Sequence, residues 1–105
     1  MIYYNSAVCN VNEYAFKDQT MDIGIATITG RYPDIGYCLN AVSKELVYVL
    51  KGTGKLYLEN DSFEYKLGDS FLIDSNEKYY WESEYSEVAL ISNSAWSYEQ
   101  YQNIN

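Results

Sequence analysis

Apolar and polar residues alternate along most of this 105-residue chain, in short runs that stop at Gly, Asn, Asp or Ser. Runs of that kind predict consecutive antiparallel strands. The clearest block covers residues 45–83. Residues 45–51 read as a strand that turns at Gly52-Thr53-Gly54 into residues 55–59, and Asn60-Asp61 makes a tight hairpin into residues 62–66. Gly68-Asp69 opens a strand at residues 70–73, Ser75-Asn76-Glu77 turns into residues 78–83, and residues 87–92 form one more strand. Upstream, residues 21–29 place Ile23 and Ile25 on one face, with Gly24 marking a bulge or a close backbone approach. Residues 2–4, 8–11 and 37–42 are shorter extended pieces, and helical periodicity is confined to residues 97–102. Evenly spaced short strands imply an all-β sandwich or small barrel. The expectation is one domain over residues 1–105, with a core at about residues 21–92 and a C-terminal tail at 93–105.

Composition narrows the chemistry. Thirteen tyrosines suit pleated surfaces and offer polar tips to a cavity or interface. A net charge of −8 disfavours nucleic acid and anionic membrane surfaces as partners. The chain shows neither a bilayer-length apolar run nor a secretory leader pattern, so a cytoplasmic location is expected. Cys9 and Cys38, outside any metal-like spacing, read as reduced thiols. Histidine is absent, which removes the commonest general base and transition-metal ligand together.

Two runs carry a family pattern. Glu45 and Gly52 are separated by six residues, with Val47-Tyr48-Val49-Leu50-Lys51 as the strand between them. Further on, Gly68 is followed by Asp74, Asn76 and Tyr79 at fixed offsets. This arrangement resembles the two motifs of the cupin superfamily over about residues 32–92. The resemblance implies a double-stranded β-helix, the jelly-roll barrel of cupins. The stretches around Gly30-Arg31-Tyr32-Pro33, Tyr79-Tyr80-Trp81 and Ala95-Trp96 are similar to a group of small single-domain cupins. Of the four ligand positions of a metal-bearing cupin only Glu45 is kept. The histidine pair falls on Leu39 and Ala41, or on Cys38 and Asn40 with the longer spacing, and the last histidine falls on Tyr79. No metal and no other cofactor is expected.

Strand parity then nominates a site. With Glu45 inward, Val47 and Val49 are inward too, while Leu46, Tyr48 and Leu50 face out and need a cover. Tyr79, Trp81 and Ser83 share the interior, with Asn40 or Tyr37 nearby depending on register. A barrel packed solid with side chains is the plain alternative. Burying Glu45 unpaired costs several kcal/mol in order of magnitude, so it needs a tyrosine hydroxyl, water, a partner or a proton. Lys44 projects to the opposite face. Arg31, the sole arginine, is either a rim ion pair or a planar fork for a ligand carboxylate or phosphate. Trp81 and Trp96 suit stacking on a sugar or aromatic ligand.

Three functions follow as expectations. The first is a metal-free barrel binding a small polar or sugar-like molecule through Arg31, Tyr37, Asn40 and Trp81. The second is a metal-independent sugar isomerase, epimerase or lyase with Glu45 as base and Tyr79 as acid. The third is a dimerisation module with a vestigial pocket. The outward row Leu46, Tyr48 and Leu50 is covered either by the domain's other sheet or by a second subunit, and the resemblance to cupins, which commonly dimerise through their sheets, implies a homodimer.

Overall fold

The structure is a computed structural model that describes residues 2–104. Its strands, all paired antiparallel, are β1 (Ile2–Asn5), β2 (Cys9–Tyr14), β3 (Asp22–Tyr32), β4 (Tyr37–Asn40), β5 (Lys44–Leu58), β6 (Ser62–Lys66), β7 (Ser70–Ile73), β8 (Tyr79–Asn93) and β9 (Tyr101–Ile104). The spine is β8. It pairs along its length with β3 on one side and β5 on the other, and reaches β4 where Cys38 faces Tyr79. Beyond β3 the sheet continues through β2 to β1, so paired wall begins well ahead of Met21. β7 pairs with the first part of β5 and β6 with the last part, which curls the sheet into a jelly-roll barrel.

Two expected turns prove to be corners inside long strands. β5 runs for 15 residues straight through Gly52-Thr53-Gly54, and β8 joins the two strands expected at 78–83 and 87–92. The register between them shifts at Val49/Lys51 and again at Thr53/Lys55, and β3 skips across β8 between Ile28 and Gly30. Such bulges let a strand bend from one side of a barrel to the other. Glycine is needed for contact as well as for bending: Gly52 has φ +78°, and a Cβ there would run into the Tyr85 carbonyl oxygen. The hairpin after β5 is centred on Glu59 and Asn60, one residue earlier than expected, because Leu58 N donates to Asp61 O at 2.8 Å.

The end of the chain is also placed differently from the expectation of a helix. Only Tyr98–Gln100 makes a single 3-10 turn, after which β9 pairs with β4. The Gln100 side chain is buried, and its Oε1 accepts from the backbone N–H of Val42 at 3.0 Å and of Ser43 at 2.6 Å. The tail therefore clamps the chain's own 40–43 loop.

Parity holds in the core. Val47, Val49, Val88, Leu56 and Ile73 are buried, while Leu46 and Tyr48 are each 45 % exposed. One half of the barrel interior holds an aromatic cluster, beside a wide cleft of about 1120 Å³ lined by Thr53, Gly54, Tyr65 and Ser83. In that cluster Trp81 meets Tyr65 edge-on at 5.7 Å between ring centroids, and Phe71 packs on Phe63 at 4.9 Å. The other half is open.

The corner can be tested by paired substitutions. Gly52→Ala combines left-handed backbone strain with a collision and should cost about 2–5 kcal/mol of unfolding free energy. Gly68→Ala has φ +90° with open space around the new methyl, and should cost only about 1–2 kcal/mol. Urea unfolding measures both, and equal losses would show that the corner is not tightly built.

Candidate functional site

Three strands and the tail supply the polar centre of the open half of the barrel. β5 contributes Glu45, β4 Asn40, and β8 Tyr79 and Trp81. Asn40 Nδ2 donates to Glu45 Oε1 at 2.7 Å, and the Tyr79 hydroxyl donates to the same oxygen at 3.4 Å. Trp96 Nε1 donates to Asn40 Oδ1 at 2.8 Å. An indole N–H can only donate, so this bond fixes the amide with its oxygen toward Trp96 and its nitrogen toward the carboxylate. Asn40 and Trp96 are thus positioning residues for Glu45.

Glu45, Tyr79 and Trp81 line a chamber of about 250 Å³. The rings of Tyr32, Trp96, Tyr98 and Tyr101 complete much of its wall, with Ala26, Ile28 and Leu90 as the aliphatic part. Neither Lys nor Arg belongs to the lining. The volume lies near the small end for ligand cavities, which run from about 300 Å³ upward.

Two further carboxyls sit at this end. Glu13 on β2 shares the inward parity of Cys9 and Val11 and lines the chamber. Its place depends on Gly24: the β2–β3 register is unbroken at Glu13 opposite Gly24, and a Cβ on Gly24 would come within 2.8 Å of Glu13 Oε2. Gly24 is therefore a close approach and not a bulge. Asp22, at the start of β3, accepts from Trp96 N at 2.9 Å through Oδ2.

Burial governs the titration of these groups. It pushes Glu45 up to about 7, partly offset by the hydrogen bonds from Asn40 and Tyr79. It pushes Glu13 up to about 8, with the Asp22 carboxyl beside it adding to the rise. The Tyr79 phenol is raised well above its ordinary value, first by burial and then by the Glu45 charge, and so remains a donor. Burial also lifts the Cys9 thiol to about 12 and the Cys38 thiol to about 11. Both are free thiols and neither is a nucleophile at neutral pH.

Among the residues singled out from sequence, Glu45, Tyr79, Asn40 and Trp81 come together. The Tyr79 hydroxyl reaches Glu45 directly, so no open space separates the two groups. Arg31 and Tyr37 lie outside the chamber. The Arg31 guanidinium donates to the carbonyls of Pro33 and Gly36 and stacks 3.8 Å over the Tyr80 ring. Tyr37 packs edge-on against the same ring at 5.3 Å. Lys44 meets Asp74 on the surface at 3.8 Å. Glu13 and Asp22 were not singled out. The available signal was Gly24, a glycine in an apolar strand whose missing side chain makes room for Glu13.

Comparison with known proteins now bears on the family. A model of the cupin domain matches residues 37–92, more than half of the chain. The chain belongs to the cupin family. No curated protein sequence matches this cupin, but solved structures do. A Streptomyces Pac13 variant with uridine superposes with a TM-score of 0.86 at 15 % identity, covering 99 % of this chain and 84 % of that one. Pac13 is described as a nucleoside dehydratase. Ectoine synthase from P. lautus gives 0.73 at 14 % identity, covering 98 % and 80 %. An oxalate decarboxylase–formate complex from Lactobacillus farciminis gives 0.79 at 17 % identity, covering 98 % of this chain and 33 % of that one. At these identities the likeness is one of fold.

The donors of this cupin do not fit a transition metal at the family's ligand positions. Asn40 has its amide engaged at both ends, and the Cys38 thiol is directed at the Tyr79 carbonyl oxygen at 3.5 Å. A carboxylate and a phenol make a thin set for such an ion.

The raised carboxyls make stability depend on pH. Glu13 and Glu45 have an ordinary value of 4.5, so between 4.5 and about 8 the folded chain holds protons that the unfolded chain has released. Their contribution is therefore fully present below pH 4.5, declines as pH rises, and is lost above about 8. Thermal melts across this range should show Glu13→Gln flattening the decline and melting higher than wild type above pH 8. A variant that melts lower than wild type at every pH would contradict this account.

Proposed function

We propose that this cupin binds a small polar molecule of about single-ring size in the chamber, with Glu45 as the group that recognises it. The observation that carries the reading is Glu45 itself: a carboxyl fixed by Asn40 and Tyr79 at the edge of an aromatic-walled space. Aromatic faces suit a flat or ring-shaped body, and a few convergent polar groups supply orientation. The fold likeness to Pac13 with uridine and to ectoine synthase supports a small organic ligand.

A second reading, proton-transfer catalysis of the isomerase, epimerase or lyase type, is favoured by one observation. Glu45 is raised to about 7, where a carboxyl both gives and takes protons near neutral pH. Because Tyr79 shares Glu45's oxygen, its part in such a reaction is to hold and tune the carboxyl, with any acid on the opposite side supplied by another group. The homodimer belongs to the proposal as well. Leu46 and Leu72, paired in register and about half exposed on β5 and β7, are its suggested contact.

Thermal-shift and calorimetric titration with uridine, other free nucleosides and monosaccharides test the binding reading. At least one should stabilise the wild type, and Glu45→Gln should weaken it about ten- to a hundredfold through loss of a charged hydrogen bond. Failure of every compound to bind would remove the proposal. For a compound that is converted, a rate limb near pH 7 that vanishes in Glu45→Gln would identify the catalytic residue.

A further inference from the structure

The inner end of the chamber has acceptors in excess of donors. Glu13 and Asp22 are 7 % and 3 % exposed, and Oε1 of the first and Oδ1 of the second have no donor except a proton held between the two carboxyls. Glu45 is the third carboxyl of the group, close enough for its charge to be felt at Glu13. Among the described residues, no Lys or Arg lines the chamber to balance these carboxyls. Arg31 is stacked on Tyr80, while Lys44, Lys66 and Lys78 pair with carboxylates on the surface. A buried acceptor left without a donor is costly, and an ionised one more so.

A shared proton satisfies these oxygens in the empty protein, a ligand's donors can replace it, and the shape of the space selects which ligand. A bare metal ion needs several donors converging on one point, and among the described residues no group of three His, Cys, Asp or Glu side chains does so. Glu13 and Glu45 line a cavity whose remaining wall is mostly aromatic rings, with an aliphatic part at Ala26, Ile28 and Leu90. A ring face attracts cations as well as apolar bodies. Carboxyls beside π faces suit an ammonium group on an organic body.

We infer that the chamber takes a small organic cation, its primary ammonium donating to Glu13 and Glu45 and its body lying against Trp81 and Trp96. Asp22, behind Glu13, adds to the negative potential. This assignment rests on the reading of the chamber as a binding site and narrows it to amines, excluding carboxylates and phosphates. It also separates two ways of satisfying the lone oxygens. Because Glu13 and Asp22 share a proton in the empty protein, an ammonium must displace that proton to bind. Affinity then rises with pH while the amine stays charged.

The test uses the full chain and three compounds of one size and shape: tyramine, the neutral alcohol tyrosol, and 4-hydroxyphenylacetate. By calorimetry tyramine should bind about tenfold tighter than tyrosol, the acid should not bind, and tyramine affinity should rise several-fold between about pH 6 and about pH 8.5. Glu13→Gln should keep the fold and abolish both the preference for tyramine and its pH dependence, while Asp22→Asn should keep the fold and weaken tyramine without removing its preference over tyrosol. Equal binding of tyramine and tyrosol, binding of the acid, or greater stabilisation by magnesium or calcium chloride overturns the amine assignment and leaves the chamber reading intact. So does silence from all three compounds when a nucleoside or sugar binds. Silence from every compound tried removes both.

Discussion

A carboxyl placed inside a barrel is the constraint around which this structure is arranged. Desolvation alone would make the buried Glu45 untenable as an anion. The chain answers by bringing donors from far along its length: Asn40 from β4, Tyr79 from β8, and Trp96 to hold Asn40 in the orientation that donates. Trp96 is in turn tied by its backbone to Asp22 on β3. The same few bonds therefore cross-link β3, β4, β5, β8 and the tail. The tail's second anchor serves the same end. Gln100 caps the 42–43 backbone, and Ala41 N donates to Gln100 O, so the loop between Asn40 and Glu45 is held from outside.

Much of this wall could be read from alternation alone, because one buried face imposes a period of two that survives without knowledge of partners. Val47 and Val49 inward, Leu46 and Tyr48 outward, and Tyr79 with Trp81 on the chamber side all follow from that parity. Continuity could not be read. Gly52-Thr53-Gly54 serves a hairpin or a barrel corner equally well, and only the partner strand β8, with Tyr85 against Gly52, distinguishes them. Depth was equally hidden. Alternation says which side Glu13 faces but not that β2 brings it to the same end of the cavity as Glu45. Arg31 misleads for a related reason: a lone arginine beside Pro33 looks available for a ligand, yet the carbonyls of its own loop and the Tyr80 ring satisfy it locally.

Histidine-bearing cupins and this chain face one physical problem with different materials. A chamber that holds a metal balances its carboxylate with a cation. Here the groups around Glu45 are the Tyr79 phenol, which stays protonated, the Asn40 amide, and the neutral Cys38 thiol on the Tyr79 carbonyl. These groups donate hydrogen bonds but add no positive charge. The carboxyls respond by holding protons to higher pH, which couples the state of the cavity to the solvent near neutrality.

The division of the barrel into a half with an aromatic cluster and a half with the chamber completes the logic. Trp81 stands at the boundary: one edge meets Tyr65 in the clustered half, another meets Tyr79 at 6.4 Å, and the ring borders the chamber. A site works best when its walls are locked by packing that the ligand does not touch. The aromatic cluster of Phe63, Tyr65 and Phe71 supplies that lock without entering the cavity. Because stability and recognition fall to different halves, the carboxyl end can carry unfavourable burial while the clustered end holds the strands in register. A small barrel filled throughout would have no place for Glu45, and one open throughout would have nothing to hold it still.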